Sequence, residues 1–149
     1  MLTLASLPLK RNFRVFAGAM GSKVKLCDLD QIADRSSDGF VIDTDDGRCG
    51  IMIVRSGDVL VSYVNSCPHV GTPLEIRPGR FLDQKGEYIL CSTHGALFQI
   101  YDGLCVAGPC VNDRLTPVEL EIYDGAVYVD KKRLPTLWPP RPEEYSPDT

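Results

Sequence analysis

The sequence predicts an all-β protein made mainly of antiparallel hairpins, on three observations. Short runs rich in Val, Ile, Tyr and Phe recur through the middle of the chain. The turn signals Asp46-Gly47, Ser56-Gly57-Asp58, Asp102-Gly103 and Asp124-Gly125 separate them, and Asp-Gly pairs tolerate the positive φ that tight hairpin turns need. One stretch only, Asp30-Gln31-Ile32-Ala33, reads as a helical turn.

In chain order, residues 24–26 read as an edge strand ahead of that helical turn. Residues 40–43, 50–54 and 59–64 follow as strands, the last running into Cys67-Pro68-His69. Residues 88–90 run into Cys91-Ser92-Thr93-His94, and residues 97–101, 117–123 and 126–130 complete the set. No internal repeat interrupts this order.

Composition limits what surrounds these strands. With 149 residues and 44% apolar content, the chain is long enough to bury a core of its own. No apolar run reaches the length of roughly 18 residues that a membrane helix requires. Residues 23–130 read as the folded domain, 1–22 as an N-terminal extension and 131–149 as a Pro-rich tail holding five of the eleven prolines. In the extension, Lys10-Arg11-Asn12-Phe13 faintly resembles a twin-arginine export signal, with a start at Met20 as the competing reading. The tail around Pro135 to Pro142 is expected to be extended, with Trp138 as its anchor.

The formal charge of −4 is unevenly spread, since residues 23–130 carry 9 basic and 17 acidic side chains. An acidic body argues against nucleic acid, which needs a basic face. It favours steering towards a basic protein partner, although an acidic surface that serves only solvation has the same composition.

The two Cys/His motifs carry the chemistry. Cys67, His69, Cys91 and His94 are candidate metal ligands, and they use both histidines of the chain. Gly71 and Gly95 follow the histidines where a tight turn calls for positive φ, and Pro68 and Pro73 stiffen the first loop. Zinc also takes two thiolates and two imidazoles, but its structural sites usually pair ligands as Cys-x2–4-Cys and His-x3–5-His. Mixed Cys-x-His and Cys-x-x-His loops fit it less well.

The motifs resemble those of the Rieske iron-sulfur family, and the resemblance runs from about residue 23 to 130. It includes His94-Gly95, the stretch Leu97-Phe98-Gln99-Ile100-Tyr101, Asp102-Gly103, Gly108-Pro109 and the terminal hairpin around Asp124-Gly125. It is similar to the small, low-potential bacterial Rieske-type ferredoxins. The resemblance implies a Rieske domain of antiparallel sheets, with a cluster-binding subdomain formed by two ligand loops and a proline loop. It also implies a 2Fe-2S cluster, with Cys67 and Cys91 on one iron and His69 and His94 on the other. Two ferric ions, two sulfides, two thiolates and two neutral imidazoles sum to zero charge, so an electron is accepted more easily than by an all-cysteine cluster.

The function so implied is one-electron transfer from a reductase to an oxygenase, by transient docking and without catalysis of its own. Pro68, Val70, Leu97, Val106 and Pro109 would form an apolar docking tip. A catalytic oxygenase needs two further histidines for its mononuclear iron, and none remains. The competing reading is a small Rieske subunit of a nitrite-reductase-like enzyme, or a regulatory redox domain.

The four other cysteines read as free thiols in a cytoplasmic, monomeric protein. Cys27 and Cys49 fit as small core residues, whereas Cys105 and Cys110 flank the Gly108-Pro109 loop and are spaced for a disulfide or a replacement ligand.

Overall fold

The structure, a computed structural model, describes the backbone of residues 13–15 together with residues 21–68, 70–75 and 77–140. Among the described residues ten strands form three sheets. The first combines β1 (Phe13–Val15), β9 (Leu120–Tyr123), β10 (Ala126–Asp130) and β2 (Lys23–Asp28) in that spatial order. The second is β3 (Ser36–Asp43), β4 (Arg48–Ser56) and β5 (Val59–Val64). The third is small: β6 (Tyr88–Leu90), β7 (Leu97–Gln99) and β8 (Cys105–Ala107). Among the described residues all pairings are antiparallel except β1 with β9, and helix is confined to 3-10 turns at Leu29–Gln31 and Lys131–Arg133. The all-β expectation stands.

The β3-β4-β5 sheet is the middle layer. Its residues Ile51, Ile53, Leu60 and Val64 share a core with Val118, Leu120, Val127 and Val129 of the four-stranded side. On the opposite face Met52, Val54, Val61 and Tyr63 pack with Ile89, Phe98 and Cys105 of the three-stranded side. This explains why β4 is a continuous apolar run: residues 49–55 are buried on both faces, so no polar face is left to alternate with. Within it Arg55 is fully buried, and none of its guanidinium nitrogens finds a hydrogen-bond partner among the described residues. Burial lowers its pKa against the opposing pull of the Asp34 charge.

Several boundaries differ from the sequence reading. The strand expected over 117–123 begins at Leu120, and Pro117 contributes only an isolated bridge to Tyr63, because proline has no N–H for a ladder. The 97–101 strand ends at Gln99, where the chain turns and the Leu104 amide donates to Asp102 Oδ1 at 3.0 Å. The β8 strand was not expected. Nor was β1, whose Phe13–Val15 lies parallel to Leu120, Glu121 and Ile122. Lys10, Arg11 and Met20 lie outside the described residues, as do residues 141–149.

The tail is pinned to the domain. The Arg48 amide donates to the Trp138 carbonyl at 2.8 Å, and the Leu137 and Trp138 amides donate to the Arg48 carbonyl. The Arg48 guanidinium lies 6.0 Å from the Trp138 ring centroid. Gly50 leaves room for that ring, since a Cβ there would meet it at 2.6 Å. At the other end of the core, Lys23 and Glu121 form a buried ion pair at 2.8 Å.

Candidate metal centre

The two motif loops have the same backbone frame. In the first, which follows β5, the Cys67 amide donates to the Thr72 carbonyl at 2.8 Å and the Gly71 amide to the Cys67 carbonyl at 2.7 Å. In the second, which follows β6, the Cys91 amide donates to the Ala96 carbonyl at 2.9 Å and the Gly95 amide to the Cys91 carbonyl at 2.9 Å. Each frame closes on a glycine at positive φ, +78° for Gly71 and +70° for Gly95, where a side chain would be strained. The Ser92 amide donates to the Leu74 carbonyl at 2.8 Å and ties one loop to the other. The Leu74 amide in turn donates to Asn65 Oδ1, and Asn65 Nδ2 to Glu75 Oε2.

Within these frames the cysteines point inward. Cys67 and Cys91 are buried at 2% and 0% exposure in the same apolar cluster, and His94 is exposed. His69 lies outside the described residues. Among the described residues no three His, Cys, Asp or Glu side chains gather around a single point as ligands of one metal ion.

The residues present fit a two-metal cluster. The donor set is chemically right, with soft sulfurs on the buried side and an imidazole on the exposed side. In the first loop the Thr72 hydroxyl oxygen is buried with no partner among the described residues. A buried hydroxyl needs an acceptor, and cluster sulfur beside Cys67 would supply one.

A third loop completes the surroundings. The Gly108-Pro109 loop is exposed and packs on the second motif loop, with Gly108 at φ +100° against Ala96. Of the expected docking tip, Pro68 and Pro109 are exposed, Val70 and Val106 are 50% and 39% exposed, and Leu97 is half-buried. A groove beside the first loop is lined by Cys67, Pro68, Val70, Arg114 and the tail residues Pro135 and Leu137.

None of the six cysteines is in a disulfide, and all are buried. Burial pushes the thiols of Cys27 and Cys49 up to about 11, which suits inert core residues. Cys105 and Cys110 are not mere loop flanks. Cys105 begins β8, its Sγ lies 3.2 Å from the Ala107 carbonyl, and Cys110 Sγ lies 3.1 Å from Cys105 Sγ. Burial first, then the hydrogen bond and charge of Cys105 and the neighbouring Cys67, push the Cys110 thiol up to about 12. The sequence places these two residues beside the loop but carries no sign that they turn into the buried cluster that also holds Cys67.

Comparison with known proteins identifies the family and the fold. Residues 22–124 match the Rieske 2Fe-2S domain family. No curated protein matches the chain. Among solved structures, the ferredoxin of carbazole 1,9a-dioxygenase from Nocardioides aromaticivorans IC177 is 24% identical, with a TM-score of 0.54 over 73% of this chain and 97% of that one. The Sphingomonas yanoikuyae B1 ferredoxin is 23% identical, with a TM-score of 0.54 over 72% and 97%. The quaternary ammonium Rieske monooxygenase CntA is 21% identical with a TM-score of 0.57, and the match spans 77% of this chain but 33% of the monooxygenase chain. At these identities the likeness is one of fold.

Proposed function

The chain belongs to the Rieske 2Fe-2S domain family, and from that membership we propose that it is a one-electron carrier, a Rieske-type ferredoxin passing electrons from a reductase to an oxygenase. The family's cofactor is a Rieske 2Fe-2S cluster. Cys67 and Cys91 would hold one iron and His69 and His94 the other, and the bound cluster supplies a one-electron couple. The observation that carries the reading is the pair of matching loop frames, with buried Cys67 and Cys91 behind an exposed His94.

Each part of the chain has a role in that reading. The backbone bonds within and between the loops hold the ligands in place, so little reorganisation accompanies a change of charge. Burial of Cys67 and Cys91 keeps water from their sulfurs, and the exposed His94 would bring a bound cluster close to the surface that meets a partner. Pro68, Val70, Val106 and Pro109 are exposed and would offer apolar surface suited to small, weak redox encounters. Two ferredoxins of the fold span nearly their full length on this chain, and one solved relative is a complex of oxygenase and ferredoxin in carbazole 1,9a-dioxygenase. Both facts support an electron carrier with an oxygenase partner. Among the described residues no helix is long and apolar enough to cross a membrane.

Purifying the tagged full chain from its native host tests the partners. An oxygenase or a flavin-dependent reductase should accompany it. Recovery of a sirohaem enzyme in their place would overturn the assignment in favour of a nitrite-reductase-like subunit.

A further inference from the structure

We propose that the Thr72 hydroxyl donates a hydrogen bond to an inorganic sulfide of the bound cluster and thereby raises the cluster's electron affinity. This rests on the proposed reading that the two motif loops hold a 2Fe-2S cluster. Thr72 is half-buried between exposed Gly71 and exposed Pro73, yet its hydroxyl oxygen is buried and finds no partner among the described residues. A hydroxyl turned inward from a surface loop has given up water, which is costly unless an acceptor replaces it.

The backbone fixes where this hydroxyl sits. The Thr72 carbonyl accepts from the Cys67 amide at 2.8 Å, so Thr72 stands directly across the loop from the first cysteine. Pro73 follows and biases Thr72 towards an extended backbone, and the β-branched side chain leaves few rotamers. A threonine hydroxyl in a loop commonly bonds the amide two residues on. Here that amide is taken, since Leu74 donates to Asn65 Oδ1 at 2.8 Å. The Gly71 amide is taken as well, by the Cys67 carbonyl at 2.7 Å. The Cys67 sulfur is not a partner of the hydroxyl either. What remains is the group that the two loops would enclose.

The second loop supplies the contrast. There the Cys91 amide donates to the Ala96 carbonyl at 2.9 Å, so Ala96 occupies the place that Thr72 has in the first loop, each five residues after its cysteine. Ala96 is fully buried and has no hydroxyl. The frame itself therefore does not require a donor at this position, and only the first loop carries one.

The sign of the effect follows from charge. A cluster sulfide is an anionic acceptor, and a charged acceptor makes the stronger bond. The reduced cluster is one charge more negative, so donation to its sulfur favours the reduced state. A buried water is the rival partner for the hydroxyl, and it would leave the potential indifferent to Thr72.

The test uses the cluster-loaded full chain and its Thr72→Val and Thr72→Ser variants, with midpoint potentials from protein-film voltammetry and resonance Raman spectra in H2O and D2O. Thr72→Val, which keeps the shape and removes the donor, should retain the Rieske visible and paramagnetic-resonance spectra but bind the electron about tenfold more weakly, a fall of about 59 mV for a one-electron couple. Thr72→Ser, which retains the donor, should stay within about threefold of wild type. The bridging iron–sulfide bands should shift further in D2O for wild type than for Thr72→Val, because the donated proton exchanges. A wild-type potential in spectrally intact Thr72→Val would overturn the proposal and leave the hydroxyl to water. So would a tenfold fall in Thr72→Ser, which stands as the test if the valine variant does not load. Equal deuterium shifts would overturn the sulfide as acceptor. Absence of a Rieske spectrum from wild type is a separate result, against the cluster reading itself.

Discussion

Gly108 packs directly on Ala96: a Cβ built on Gly108 would lie 2.8 Å from the Ala96 Cα and 3.0 Å from its Cβ. The contact seats the proline loop on the second motif loop, and Gly108 also needs φ +100° to make it. Gly108→Ala should therefore suffer strain and overpacking together, about 3 kcal/mol. Gly57 is the control, at φ +60° with nothing within 4 Å, where alanine should cost about 1 kcal/mol. Urea unfolding of the two loaded variants checks this, and equal midpoints would mean that the proline loop is loosely seated.

The midpoint potential should sit near the lower Rieske limit, about −150 mV. Respiratory Rieske proteins place hydroxyl donors two and four residues after the second ligand histidine, and those positions here are Ala96 and Phe98, both fully buried. Ala96→Ser and Phe98→Tyr should each raise the potential by restoring a donor. Voltammetry reads both shifts, and a wild-type value above about +100 mV, in the respiratory part of the Rieske range, would rule out the ferredoxin reading.

Docking should depend on salt if the acidic body steers it. Reduction by the cognate reductase should slow as ionic strength rises past about 0.1 M, where the screening length is about 10 Å. A flat profile would leave recognition to Val70, Val106 and their apolar neighbours alone.

The tail should contribute to stability. Trp138→Ala removes the ring that lies over Gly50 and under Arg48, a loss of about 1 to 3 kcal/mol. Hydrogen exchange at the Arg48 amide should accelerate along with a lower thermal midpoint. Unchanged exchange there would mean that the tail holds without its tryptophan.

Local pattern made much of the fold legible. β5, β6 and β10 occupy the ranges expected from alternation and turn residues, because each is a compact apolar run ending at a turn or a motif. β8 was missed because Cys105–Ala107 has no period of its own and becomes a strand by pairing with β7. β1 was missed for a related reason: its partner β9 lies about a hundred residues away, and a parallel pairing leaves no hairpin signal. In the metal centre, the positive φ of Gly71 and Gly95 followed from turn chemistry. The inward turn of Cys110 did not, since it depends on how the 105–113 loop closes. Trp138 was recognised as an anchor, but its seat on Gly50 is a tertiary contact that spacing does not encode.

The central claim is that Cys67, His69, Cys91 and His94 hold a Rieske cluster. Iron and sulfide analysis with paramagnetic resonance of wild type and the His94→Ala variant tests it most directly. Two irons and two sulfides per wild-type chain, with a Rieske spectrum that disappears in His94→Ala, is the predicted result. An unchanged spectrum in that variant, or zinc in place of iron in protein made with ample iron, would contradict it.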